Sequence, residues 1–306
     1  MFKRIALFFL ASSCLFAQET PSFETDDSIV WMNDEDLASR IPNFFTIEAD
    51  YDKIFCSDFE DPAYDQIGYS ETNVGISYMK MFCGIEGIAL GVGYTHAHLD
   101  WVDNPFFCQR DFDNFNVFIN GMTKRFRCFD LKGALSANID TRTWNLSSDT
   151  FYLATFWGRY EWCSGFCVPV GLNLGVTSRF GLKDTLIYPI IGVDFQATER
   201  LRFNLIFPVD MVVSYKVCPC WFVELTGRIW NSRRRIAEEE GLFSRGYFEY
   251  RNSGLDLGVR YDWDPVATVA LHAGSTFGAG EIRVSNSNND DAETLSFDAG
   301  FYLGGE

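Results

Sequence analysis

The chain of 306 residues sets 25 Lys and Arg against 42 Asp and Glu, a formal net charge of −17, and this excludes nucleic acid as a partner, since phosphate backbones are held by cationic surfaces. It is nevertheless 47% hydrophobic and 17% aromatic, with 30 Phe, while lacking any run near the ~18 apolar residues a membrane-crossing helix needs. So much apolar surface in so acidic a chain has to be segregated to one side of its elements.

Met1-Phe2-Lys3-Arg4 precedes an apolar run over 5–10, then small residues as far as Ala17 and the polar Gln18-Glu19-Thr20. This is the order of charge, apolar stretch and cleavage site found in secretory signals. Residues 1–17 are therefore predicted to be a signal peptide cut after Ala17. A rival reading makes Leu10-Ala11-Ser12-Ser13-Cys14 a lipidation site, with poorer spacing. Residues 18–42, with Pro21, Asp26, Asp27, Asp34, Glu35 and Asp36, have little to bury and read as an acidic extension.

From Asn43 onward the pattern changes to short segments of period two, the signature of strands. Leu131, Gly133, Leu135, Ala137 and Ile139 alternate with Lys132, Ala134, Ser136, Asn138 and Asp140. Val168, Val170, Leu172, Leu174 and Val176 do the same against Gly171, Asn173, Gly175 and Thr177, and Leu255, Leu257, Val259, Tyr261 and Trp263 against Asp256, Gly258, Arg260 and Asp262. Alternation alone fits a soluble sandwich with a dry centre as well as a barrel with an apolar exterior.

Three features favour the barrel. Tight connections at 82–85, 126–130, 197–200, 217–220 and 262–266 alternate with longer polar ones at 96–113, 141–150, 231–246 and 278–293, as in membrane barrels. Tyr94, Trp101, Tyr160, Trp162, Trp221, Trp230, Tyr261 and Trp263 crowd the segment ends, where a membrane interface favours aromatic rings. The segments also have the roughly 9–12 residues of a tilted crossing. Residues 43–306 are thus predicted to form an all-β, antiparallel transmembrane β-barrel of about 14 strands, with 12–16 compatible.

On these features the chain resembles Gram-negative outer-membrane β-barrels over nearly its whole mature length. The resemblance implies residence in the bacterial outer membrane, with residues 18–42 on the periplasmic side. It implies outer-membrane lipids and the barrel-insertion machinery as partners, and porin-like passage of small solutes without enzymatic chemistry or cofactors. Many such barrels end on an aromatic residue; here Phe301 and Tyr302 are followed by Leu303-Gly304-Gly305-Glu306. The cysteine content resembles that of cysteine-rich barrels from obligate intracellular bacteria, which implies disulfide-linked envelope proteins as further partners. Two alternatives to a porin-like channel stand beside it: a structural barrel without a conducting pore, and a carrier of hydrophobic molecules through a wall kinked near Pro189.

The polar faces assign Glu48, Asp50, Lys132, Asn138, Arg159, Glu161, Arg179, Asp194, Arg202, Glu224, Arg228, Asp256, Arg260 and Asp298 to the lumen, either as a selective lining or as an ion-pair network filling the interior. Eight cysteines are candidates for disulfides in an exported chain. Cys83, Cys128, Cys163, Cys167, Cys218 and Cys220 fall at the tight turns, and Cys56 and Cys108 in the first two long loops. A Cys56–Cys108 staple and a Cys163–Cys167 bridge are candidate pairs, whereas Cys218-Pro219-Cys220 is too short for an unstrained bond. His96, His98 and Asp100 share a strand face but continue that of Leu90, Val92 and Tyr94, so they are expected to mark the exit from the lipid, and no metal site is assigned. His272 near Ser275 or Ser296 reads as a wall residue rather than a catalytic base. Residues 233–240 are expected to form a short outward-facing helix ended by Gly241, and 288–291 a plain loop without calcium.

Overall fold

The computed structural model describes residues 43–82, 85–126, 129–144, 150–162, 169–181, 185–238, 242–263, 267–278, 280–286 and 292–306. The signal peptide and extension expected at 1–42 lie outside them, as do Cys83, Cys128, Cys163, Cys167, Gly241 and 288–291.

The strands follow the period-two segments. They are β1 Asn43–Ser57, β2 Ile67–Phe82, β3 Glu86–Trp101, β4 Asp111–Phe126, β5 Phe129–Asp140, β6 Thr150–Trp162, β7 Val170–Gly181 and β8 Leu186–Gln196. They continue as β9 Leu201–Phe207, β10 Asp210–Cys218, β11 Trp221–Arg235, β12 Tyr247–Trp263, β13 Ala267–Thr276, β14 Gly280–Ser285, β15 Ala292–Phe297 and β16 Phe301–Gly305. Each strand from β1 to β12 pairs antiparallel with the next, β12 pairs with β13, β13 with β16, and β16 with β1. These fourteen strands close a ring. Hairpin β14–β15 prolongs β13 and β16 beyond interruptions at 277–279 and 298–300, with β14 taking over the pairing of β12 at 247–251. Closure leaves most of the backbone polar groups paired, the condition for a wall that faces hydrocarbon.

Side chains sort by the same alternation. Ile47, Leu90, Leu174, Ile191, Leu257 and Leu271 point away from the ring and are more than half exposed, while Asn73, Thr95, Asn116, Asn138, Thr155 and Thr177 point inward and are buried. The inward set is identified by its reach: Trp230 on β11 donates to Asp52 on β1 at 3.2 Å, across β12, β13 and β16, which is possible only on the concave side. The apolar face is therefore the outer one. Phe118 turns into the interior over Gly91, where its ring fills the space a side chain would need, so a residue larger than glycine there would displace the ring.

The two rims differ. β1 starts at the rim holding the 197–200 and 219–220 turns, here called the terminal rim, and β16 runs toward it as far as the level of Ala270 on β13; the opposite one is the loop rim. Strands β1–β4, β11 and β12 have 15 to 17 residues, whereas β5–β10 have 7 to 13. The loop rim is accordingly tall on one side and low on the other, where β9 and β10 are joined across just Pro208-Val209. This two-residue turn is on the rim where the sequence suggested long loops, because strand alternation continues almost to Pro208.

On the tall side the polarity of the interior reverses. Ile54, Tyr69, Leu99, Trp101, Phe106, Phe107, Phe112, Trp230, Ile236, Phe248, Tyr250, Ile282, Phe297 and Tyr302 form a buried aromatic cluster inside the loop rim. Phe112 packs on Phe248 at 4.4 Å between ring centres and Tyr69 stacks on Tyr250 at 4.4 Å. The 102–110 loop is drawn inward as well, with Phe106 against Phe243 and Gln109 accepting from the Ala237 amide at 2.8 Å. The expected helix at 233–240 is corrected: Arg233, Arg234 and Arg235 are the last residues of β11 and pair with Glu249, Phe248 and Tyr247 of β12. Their alternating ladder partners outweigh the local i, i+4 charge pairs that suggested a helix.

Candidate functional site: the lumen and its closed mouth

The extended hairpin β11–β12 does not stand upright on the rim. Below it, odd-numbered residues such as Leu225 and Leu257 face outward and are exposed, yet Asn231, Arg233 and Glu249, on that same face further along, are buried. What covers them is the inner wall of the far side. Arg179 on β7 donates to Glu249 at 2.6 Å and to the Asn231 carbonyl at 3.4 Å, although β8, β9 and β10 separate β7 from β11 in the ring. Phe151 on β6 packs against Tyr247. The hairpin therefore folds over the low side and lies across the mouth. One face is glued to β1–β4 by aromatics and by Arg234 donating to Glu71 at 3.0 Å. The other rests on β6–β7 through ions.

Beneath this cap the lumen is lined by four polar networks. Arg159 binds Asp194 through two nitrogens at 2.8–3.0 Å, Asp194 accepts from Asn173 at 2.7 Å, and Asp130 and Glu161 stand 3.8 Å from the same guanidinium. Arg260 joins Glu224 at 2.9 Å and Asp262 at 3.1 Å, and Glu224 accepts from Ser214 at 2.7 Å. Arg228 holds Asp256 at 2.7 Å, Glu306 at 2.9 Å and the Nδ1 of His272 at 3.1 Å, whose Nε2 is 2.7 Å from Asp52. Asp50 accepts from Asn73 at 2.9 Å, Asn73 from Thr95, and Thr95 from Asn116 at 2.8 Å. Exposure is uneven along the lumen, and Asp256 at 1% and Asp194 at 4% are as buried below the cap as the ions that hold it. The Arg179 side chain is 1% exposed and that of Glu249 4%, against 25% for Asp130 and 45% for Glu161 near the terminal rim.

Of the residues that the sequence assigned to the lumen, Glu48, Asp50, Lys132, Asn138, Arg159, Glu161, Arg179, Asp194, Arg202, Glu224, Arg228, Asp256 and Arg260 occupy inward positions on their strands. Lys132 lies over the Trp157 ring at 5.4 Å, and Arg202 donates to Asn204 at 3.4 Å. Asp298 is a correction: it sits exposed in the interruption between β15 and β16, where alternation breaks and its amide bonds the Asp58 carbonyl. Sequence reasoning missed Asp52, Glu71, Arg233 and Glu249. Asp52 was legible from its period-two spacing with Asp50; Arg233 and Glu249 were not, since alternation assigns them outward and only the fold of the hairpin buries them.

The Cys56–Cys108 staple is a second correction, for the two are not bonded. Cys56 faces outward, 3.9 Å from Asp100, while the loop spends its reach on burying Phe106 and Phe107 and leaves Cys108 at the surface. Cys218 and Cys220 are not bonded to each other either. His96 and His98 lie on the outward face above Tyr94, each against its cross-strand partner, Asp113 at 2.7 Å and Asp111 at 2.6 Å.

No family model matches the chain. It is 21% identical over 319 aligned positions to a protein of Chlamydia pneumoniae, covering all of this chain and 98% of that one. A protein of Chlamydia muridarum is 20% identical over 275 positions, 85% of each chain, and one of Chlamydia trachomatis 24% over 131 positions, 43% of this chain and 41% of that one. Among solved structures, an outer-membrane channel from Pseudomonas putida F1 aligns with 87% of this chain and 95% of its own, at a TM-score of 0.44 and 9% identity.

Proposed function

We propose that the protein is a bacterial outer-membrane barrel that admits small hydrophilic solutes through a charged lumen, with the terminal rim in the periplasm and the loop rim, closed at rest, outside. The observation that carries this reading is the inversion of a soluble fold: a continuous apolar exterior around buried carboxylates and guanidiniums. A wall of that kind has no use in water and matches lipid. The partial exposure of Asp130 and Glu161 near the terminal rim supports exchange of water and solute with that side.

Two observations support a structural peg as a second reading: the mouth is packed, and Cys218 and Cys220 lie unbonded at a periplasmic turn where neighbouring envelope proteins can reach them. Carriage of hydrophobic molecules has less support, since Pro189 lies on the lipid face within an unbroken ladder from β7 to β8. Detergent-extracted protein is expected to migrate faster on a gel before boiling than after, and to give discrete current steps in planar bilayers. Heat-modifiable protein that never conducts, together with disulfide-linked multimers on non-reducing gels, would favour the peg. Partition into buffer without detergent would remove both readings.

A further inference from the structure

The cap is attached unequally, and this locates a path. Its β1–β4 side is an aromatic cluster with ring centres 4.4–5.8 Å apart at Phe107, Phe112, Tyr69, Phe248 and Tyr250. Its β6–β7 side has one aromatic contact, Phe151 on Tyr247, and is otherwise a cluster of charges: Glu249 accepts from Arg179 of the wall at 2.6 Å, and contacts Arg233 at 3.2 Å and Arg251 at 3.0 Å within the cap itself. On the β5 wall beside that seam Asn138 Nδ2 and Ser136 Oγ are buried without a hydrogen-bond partner. Apolar contacts are lost outright when pulled into water, whereas charged and unpartnered polar groups regain hydrogen bonds there. The β6–β7 seam is the one that parts at least cost.

The charge at the seam also selects. Among the described residues, three guanidiniums meet Glu249, and Glu281 stands 4.0 Å from Arg251, so guanidiniums outnumber carboxylates in this cluster of a chain that is acidic as a whole. A carboxylate already occupies Arg179 through one guanidinium nitrogen, and a guanidinium that has given up one oxyanion can bind another through the same planar donors. We infer that solutes pass between the cap and the β5–β7 wall, that they are small oxyanions, and that they open the mouth by replacing Glu249 on Arg179. This rests on the reading of the barrel as a channel.

The test uses full-length protein in planar bilayers with potassium phosphate added on the loop-rim side. Wild type is expected to be anion-selective in a salt gradient and to open more often as phosphate rises. Glu249→Gln should raise the open probability without phosphate by about ten-fold, the factor that loss of about 1.4 kcal/mol from the closed state produces, and should blunt the phosphate response. Glu293→Gln, which removes an equal charge from an exposed position on β15, should behave as wild type. Cation selectivity, or a Glu249→Gln channel gating like wild type, would overturn the inference and leave the channel reading standing. Heat-modifiable wild type and Glu249→Gln that are both silent would overturn the two together.

Discussion

Replacing Leu174 with arginine is expected to lower the stability of the folded barrel by about 2–4 kcal/mol, the cost of a cation at the middle of the lipid face of a membrane barrel. Leu174 is 69% exposed and sits mid-strand on β7, between Leu172 and Val176 on the same outward face. In water such a site accepts arginine with almost no penalty, because a lone surface charge stays hydrated. In hydrocarbon the guanidinium has to bend toward a headgroup or draw water with it. Urea titrations of wild type and Leu174→Arg in lipid vesicles read the difference. A change within about 0.5 kcal/mol, the usual range for a soluble surface position, would mean that this face does not touch lipid.

A loss of about 3–5 kcal/mol is expected for Arg159→Ala, with much of it recovered in the Arg159→Ala/Asp194→Ala double variant. The Asp194 side chain is 4% exposed and takes both prongs of Arg159 together with the Asn173 amide. Without the arginine it becomes a buried carboxylate facing Asp130 and Glu161 nearby, and an uncompensated buried charge is costly where the intact pair is close to neutral. The double variant removes the orphan. The same urea titration distinguishes the two, and a single variant as stable as wild type would show that water already screens this part of the lumen.

The ring itself was legible because every strand with an apolar face on one side and polar groups on the other must alternate, and residues such as Leu135 beside Ser136 or Leu257 beside Asp256 state the rule directly. The inward placement of Arg159 and Asp194 follows from parity alone. The mouth was not legible for a physical reason. Above the outward apolar band, strands are free to turn either face to any surface, so alternation still predicts a strand but no longer predicts what lies on each side of it. Arg233 and Glu249 are outward by count and buried by tertiary contact. The run of arginines in front of three glutamates suggested a helix because local charge pairs are visible in a sequence, whereas the ladder from β11 to β12 joins residues separated by an eleven-residue loop. Trp101, Phe106 and Phe107 similarly read as interface aromatics and loop residues, and only the slant of the rim gives them a cluster to join.

Spin labels placed singly along β7, in protein whose native cysteines are replaced by serine, test the central claim at the level of one residue. At 172, 174 and 176 the labels should collide readily with oxygen dissolved in the bilayer, and at 173 and 177 they should be shielded from it, giving an oscillation of period two. The opposite phase, with oxygen reaching Asn173 and Thr177 while Leu172, Leu174 and Val176 are protected, would contradict a sheet that wears its apolar side outward.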